Sequence, residues 1–169
     1  NGTFSSQMET CSPSDAESWW FLPYDQLNLD LLPVQDSIGI ILIESEKQAK
    51  RRPYHKQKLC YILSNMRHFA LETLSKAIPV VYVRTNEQYD EPLRKLAQDF
   101  GPMNMFRAAE RELRLTLSEL IIEGHILEHP HPGWLTPQDW FTETVGNEPP
   151  FRMDRFYRRV RKEKGWLME

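Results

Sequence analysis

The sequence predicts an α/β domain built on a parallel sheet, and three observations carry that expectation. Short β-branched and aromatic segments alternate with stretches of helical periodicity, the pattern of βαβ units joined by right-handed crossovers. The strongest strand candidate, Ile38-Gly39-Ile40-Ile41-Leu42-Ile43, lacks the polar alternation of a half-buried strand, as expected of a central parallel strand covered by helices on both faces. The chain of 169 residues, 40% hydrophobic and 27% charged, is long enough for one domain with a substantial core and has the composition of a globular protein.

The elements follow in order. Residues 1–16, rich in Ser, Thr, Asp and Glu and interrupted by Pro13, read as a flexible tail. Trp19-Trp20-Phe21-Leu22 is a short aromatic strand, ended by Pro23-Tyr24-Asp25. Residues 38–43 form the second strand, and the polar, basic stretch from Glu44 to Tyr54 is a loop. Leu59, Ile62, Leu63, Met66, Phe69, Ala70 and Leu74 recur at three- and four-residue steps, so residues 55–76 form a helix, broken at Ile78-Pro79. Cys60 falls inside that stretch and is expected to be a buried thiol. Val80-Val81-Tyr82-Val83 is a third strand, Asp90 to Phe100 a short helix stopped by Gly101-Pro102, and Met103 to Arg107 a weak fourth strand. Glu110 to Glu123 is helical, with Leu113, Leu117, Leu120 and Ile121 on one side and Gly124 closing it. Ile126-Leu127-Glu128 is a fifth, short strand. Thr136 as N-cap and Pro137 at the first helical position open a helix running to Val145, and residues 146–150 lead into an amphipathic segment from Met153 to Trp166.

In open parallel sheets, ligands bind beyond the carboxyl ends of the strands, where strand order reverses. That directs attention to the loops after strands one, two and four: Tyr24-Asp25-Gln26, Glu44-Ser45-Glu46 and Ala108-Ala109-Glu110. Asp25 is either a carboxylate that hydrogen-bonds a ligand or a turn residue. Glu44 terminates the central strand, the best-placed position on such a sheet. Lys47, Lys50, Arg51, Arg52, His55, Lys56 and Lys58 form a positive run that suits either phosphate contact or a solvated loop. Residues 152–164 carry seven Lys or Arg against Asp154 and Glu163, interleaved with apolar side chains. This pattern suits docking on a domain, a partner or a polyanion, or a terminal helix capping its own core.

Several classes are excluded or disfavoured. No G-x-G-x-x-G, P-loop, G-x-S-x-G elbow or H-E-x-x-H pair is present, and no catalytic residue is assigned. His125, His129 and His131 are interrupted by Pro130 and Pro132 and read as solvated or packing residues, so no metal site is assigned. Two cysteines, Cys11 and Cys60, exclude a disulfide scaffold and a four-cysteine cluster built from this chain alone. The longest apolar run falls far short of the roughly 20 residues of a membrane helix, and residues 1–16 lack the apolar centre of a signal peptide. A cytoplasmic location without membrane contact is therefore expected. A net charge of −3 argues against polyanion binding by the chain as a whole.

Three stretches together resemble a known family. They are Tyr24-Asp25-Gln26-Leu27; the run from Arg52 through His55-Lys56-Gln57-Lys58 to Ile62-Leu63-Ser64-Asn65-Met66-Arg67-His68-Phe69; and Phe151-Arg152-Met153-Asp154-Arg155-Phe156-Tyr157-Arg158-Arg159-Val160-Arg161. In this order they resemble the N-terminal domain of the deoxyribodipyrimidine photolyase-related proteins, the bacterial iron–sulfur branch of the photolyase/cryptochrome family. Ala109-Glu110-Arg111-Glu112-Leu113-Arg114 is similar to that family's fourth-strand loop.

The resemblance implies a Rossmann-like, three-layer α/β domain with a five-stranded parallel sheet over residues 17–150. It also implies a basic amphipathic segment, 151–169, leading towards a helical domain. In the family that second domain holds FAD and a four-cysteine 4Fe–4S cluster and repairs DNA lesions with light. The family's antenna, 6,7-dimethyl-8-ribityllumazine, lies against the α/β domain and passes excitation to the flavin. By residue matching, Asp25 and Glu44 fall where antenna contacts lie, with His55, Lys56 and Glu110 as further cofactor-binding candidates. Tyr24 stands where the family usually has Gly, and Ser45 where it is often apolar. The chain ends where the flavin domain would begin, so it is not expected to repair DNA alone. DNA would be met only through the full-length protein. The alternatives are the first segment of a split photolyase, with a flavin-binding helical partner docking on 151–168, and a ligand-free interaction domain of the same fold.

Overall fold

The computed structural model describes residues 4–8, 11–33 and 37–166. They divide into two compact units, the first ending at His129 and the second beginning at Pro130. This boundary falls earlier than the one expected near residue 150.

The first unit is the α/β domain. Its strands are β1 (Ser18–Phe21), β2 (Ile38–Ser45), β3 (Val80–Thr85), β4 (Met103–Phe106) and β5 (Ile126–His129). Its helices are α1 (Phe4–Gln7), α2 (Glu46–Lys50), α3 (Lys56–Ser75), α4 (Asp90–Phe100) and α5 (Arg111–Ile122). All five strands are parallel, in the order β3-β2-β1-β4-β5. The chain builds outward from β1 to β3, then returns to the other side of β1 for β4 and β5. The reversal of order, and with it the expected ligand crevice, lies between β1 and β4.

Alternation along the strands divides the core into two layers. Trp19 and Phe21 of β1, Ile41 and Ile43 of β2, and Met103 and Met105 of β4 point to one side, where Leu93 of α4 and Leu113, Leu117 and Leu120 of α5 cover them. Trp20, Leu22, Ile40, Leu42 and Phe106 point to the other, against Ala70 and Phe69 of α3. The continuous apolar run of β2 is thus covered on both faces, and the three-layer Rossmann-like architecture expected from the sequence is present. Gly39 pairs with Trp19 in the ladder, and a Cβ there would lie 2.5 Å from the indole ring. A glycine is what lets Trp19 lie over β2.

Several local expectations differ from the structure. In the stretch read as a loose tail, Phe4 and Met8 pack against the α3-side core, and Phe4 meets Tyr82 edge-on at 4.8 Å. Cys60 is exposed, not buried. One position beyond Leu59, it is rotated by about 100° from the apolar stripe, on the same outward side as Tyr61. The loop after β2 contains α2, because the Ser45 hydroxyl accepts the Gln48 N–H at 3.1 Å and caps a helical turn.

The second unit is a helical hairpin of α6 (Gln138–Val145) and α7 (Met153–Lys164). Pro137, rather than Thr136, occupies the N-cap of α6, with no side-chain capping bond. Phe141 packs on Phe151 and Phe156 at 5.6 and 5.3 Å between ring centres. Arg159 joins the helices by donating to Thr144 and Glu143 at 2.9 and 2.7 Å while lying over the Trp140 ring. Neither helix has a buried residue, and Gly165 ends α7 in the left-handed conformation.

Candidate functional site

The strand tips on either side of the switch point form the site. After β1, Pro23 starts a turn closed by the Gln26 N–H donating to the Pro23 carbonyl at 2.9 Å. Gln26 is buried, and its Nε2 donates to the carbonyls of Phe106 and Arg107 at 3.5 and 3.3 Å, tying the β1 loop to the β4 loop. After β4, Arg114 donates to the carbonyls of Ala108 and Ala109, both at 2.8 Å, and fixes the turn that presents Glu110 at the N-cap of α5. After β2, the Ser45 hydroxyl donates to the Glu87 carbonyl at 2.5 Å, binding the β2 tip to the loop that carries Tyr89.

These loops enclose a cleft. Tyr24, Tyr89 and Glu110 line it together with Ile43, Glu44 and Ser45 at the tip of β2. The first turns of α3 supply a largely apolar wall of Leu59, Ile62, Leu63 and Met66, and Tyr54 and Lys58 stand at the side. The ammonium of Lys58 lies 4.9 Å over the Tyr54 ring. The cleft is a slot of about 530 Å³, its open mouth included.

Its electrostatics are set by phenols and carboxylates. Burial, then the charges of Glu110 and Asp25, push the Tyr24 phenol above its ordinary value. Tyr89 is raised further, chiefly by burial, and the charges on Glu110 and Asp25 add to the effect. Both phenols remain protonated at neutral pH and can donate to a ligand.

Glu44 is held differently from the other carboxylates. Arg67 of α3 grips it through Nε at 3.1 Å to one oxygen and Nη2 at 2.7 and 2.9 Å to both, and the Tyr82 hydroxyl donates at 2.9 Å. Arg84 stands 3.8 Å away. Burial by itself would raise the Glu44 carboxyl, but the Arg67 and Tyr82 hydrogen bonds and the two guanidinium charges outweigh it and hold it below the usual carboxylate range. Burial, and after it the charge and hydrogen bond of Glu44, raise the Tyr82 phenol.

Of the candidates read from the sequence, Glu44 and Glu110 come together on the cleft. Asp25 is exposed and is not among the cleft-lining residues, although its charge reaches Tyr24 and Tyr89. His55 caps α3, its Nδ1 accepting the Gln57 N–H at 3.2 Å, and Lys56 is exposed beside it; neither lines the cleft. Sequence reasoning missed Tyr54, Tyr89 and Arg67, and singled out Lys58 only as part of a positive run suited to phosphate contact or a solvated loop. Arg67 had a signal: it is a lone arginine beside the apolar stripe of a helix that must pack on β2. His129, read as a solvated or packing residue, stacks on Trp20 at 5.2 Å and its Nε2 lies 2.8 Å from the side-chain Oδ1 of Asn104.

An open parallel sheet whose strand order reverses between β1 and β4, with a tyrosine-lined cleft at the strand tips, defines a doubly wound α/β domain. The chain belongs to the deoxyribodipyrimidine photo-lyase-related proteins, whose family profile matches residues 20–169. No curated protein matches it. Among the described residues no helix is long and apolar enough to cross a membrane.

Proposed function

We propose that the α/β unit is the antenna module of a photolyase-related protein and binds a flat heteroaromatic chromophore of the 6,7-dimethyl-8-ribityllumazine type. The cleft carries this reading. It is a slot at the switch point with three tyrosines and an apolar helix face, the lining on which a planar ring stacks. Glu110 would accept from ring N–H groups or ribityl hydroxyls, and the Tyr24 and Tyr89 phenols would donate to ring carbonyls. Tyr24 narrows the slot, so a whole ring enters when that side chain turns outward.

Repair is not a property of this chain by itself on this reading. Light-driven repair places an excited flavin against a flipped lesion. The family's FAD and iron–sulfur cluster belong to a helical domain, and two cysteines cannot hold a four-cysteine cluster. Titrating the chain with the lumazine at micromolar concentration should quench and red-shift the chromophore. Glu110→Ala should weaken binding by about tenfold, the effect of one lost hydrogen bond to a charged group, and Tyr24→Ala should let the ring enter faster. No spectral change with either the wild type or Tyr24→Ala refutes the proposal.

A second reading rests on the apolar stripe of α7, where Met153 and Tyr157 are more than half exposed. A flavin-carrying helical domain or subunit would cover that stripe, which makes the chain the first segment of a split photolyase. Restoration of repair on mixing with such a subunit, and its loss in Met153→Asp/Tyr157→Asp, would distinguish this reading from a ligand-free interaction domain.

A further inference from the structure

We propose that the concavity on the outer side of α2 binds the phosphate group of a small molecule. The proposal does not depend on a chromophore. The positive run from Lys47 to Lys58 suits either phosphate contact or a solvated loop, and the fold divides it. Arg52 is paired with Glu112 at 2.7 Å, the His55 ring caps α3, and Lys58 lies over the Tyr54 ring. Lys47, Lys50 and Arg51 instead line one concavity of about 890 Å³, its open mouth included, together with Glu46, Asn86 and Gln88. Gln48 and Ala49 of the same short helix line the cleft, so the two spaces lie on opposite sides of α2.

The cations there outnumber their partners. Glu46 is paired with Lys50, and among the described residues no carboxylate lies within ion-pair distance of Lys47 or Arg51. Three cations against one carboxylate leave an excess of two positive charges on the lining. Helix stability does not account for the placement. Arg51 is the C-cap of α2 and Lys47 stands four residues before it, so the two share a face, and like charges at that spacing weaken a helix. An anion seated between them offsets that repulsion.

The donor set favours phosphate among anions. Lys47, Lys50 and Arg51 only donate, and the side-chain amides of Asn86 and Gln88 add further N–H groups. A phosphate monoester is close to a dianion at neutral pH and presents three strongly accepting oxygens, so its charge matches the excess. A carboxylate brings one charge and two oxygens. The Arg51 fork also fits phosphate oxygens in pairs. The opposite wall is held in place before any ligand arrives. In the loop after β3 the Glu87 carbonyl accepts from the Ser45 hydroxyl at 2.5 Å, and the Glu87 N–H donates to the Thr85 hydroxyl at 3.1 Å, which fixes the segment that carries Asn86 and Gln88. A lipid surface is disfavoured, because no apolar side chain lines the concavity. The cations face a hollow rather than forming a row, which suits a terminal phosphate and not an extended polymer.

The test is isothermal titration calorimetry of the full chain with inorganic phosphate and with pyrophosphate at constant ionic strength, with succinate as a dicarboxylate of similar charge. The expected result is saturable binding at one site, pyrophosphate tighter than phosphate and phosphate tighter than succinate. Lys47→Gln/Arg51→Gln should lower the pyrophosphate affinity at least tenfold through two lost charge-assisted contacts. Both side chains are exposed, so circular dichroism and Tm of the unliganded variant should match the wild type. Lys56→Gln, which removes a cation of the same run outside the concavity, should bind as the wild type does. The proposal is overturned by no saturable binding of pyrophosphate up to about 10 mM, by a double variant with unchanged affinity, or by succinate binding as tightly as phosphate. Tighter association with a short oligonucleotide or with anionic phospholipid vesicles than with pyrophosphate also overturns it.

Discussion

Glu44→Gln tests whether the carboxylate at the tip of β2 is part of the domain's framework. The substitution keeps the shape but removes the charge and turns one accepting oxygen into an NH2 donor, leaving Arg67 and Arg84 beside a neutral amide. Hydrogen bonds to charged groups contribute roughly 1.5 to 3 kcal/mol each. The Arg67 side chain is 36% exposed, so solvent screens part of this. The expected loss at pH 7 is about 2 kcal/mol, or roughly 4 to 8 °C in Tm for a domain of this size. The pH dependence fixes the cause. Because the folded-state value of Glu44 is depressed, its contribution is fully present above the unfolded carboxyl value of about 4.3 and is lost as pH falls through the lower folded value. Urea denaturation, read by hydrogen exchange of the β2 amides from neutral pH to below 4, should show the two proteins converging only at the acid end. A difference that is flat with pH, or absent at neutral pH, refutes the argument.

Two further outcomes follow from the packing. Gly39→Ala drives a methyl into the Trp19 ring on the buried face of β2 and should cost about 1 to 3 kcal/mol, measured by urea denaturation of the same domain. Cys60, on the exposed side of α3, should react with a maleimide before the half-buried Cys11, as peptide mass spectrometry of partly labelled protein would show; labelling in the reverse order contradicts the orientation of α3.

The fold was legible because its signals are local. The apolar run of β2, the three- and four-residue steps of α3 and α5, and the glycines after α4 and α5 each report on a few neighbouring residues. The strand-end rule directed attention to the loops that hold Asp25, Glu44 and Glu110, since a parallel sheet delivers all its strand tips to the same edge; Glu44 and Glu110 line the cleft, whereas in the first loop it is Tyr24 and not Asp25 that does. What the sequence hid depends on contacts across the fold. Arg67 meets Glu44 from 23 residues away, and Gln26 reaches carbonyls 80 and 81 residues on. Cys60 was misplaced because it sits inside an apolar-periodic stretch but one step off the stripe, where composition says buried and helix phase says exposed. The packing of Phe4 was invisible for the opposite reason: a lone aromatic in a polar segment has no periodicity to report.

The fate of Glu44 changes what kind of ligand the cleft suits. The central strand is β1, not β2 as expected from the apolar run; a free carboxylate at the tip of β2 would favour a cation or a strongly donating ligand. With both oxygens of Glu44 held by Arg67 and one also by Tyr82, that position supplies rigidity instead. Ser45 is likewise engaged, as helix cap and as donor to Glu87. The polar groups that line the cleft besides these are Glu110, Lys58, Gln48 and the tyrosine hydroxyls, set among rings and aliphatic side chains. Binding energy in such a slot comes mainly from stacking and from apolar area removed from water, with the polar groups fixing orientation. Tyr24, where the family usually has glycine, adds a ring to that surface while narrowing the entrance. The same residue therefore strengthens a stacked complex once formed and opposes its formation, and the rates of association and dissociation in Tyr24→Ala should both rise.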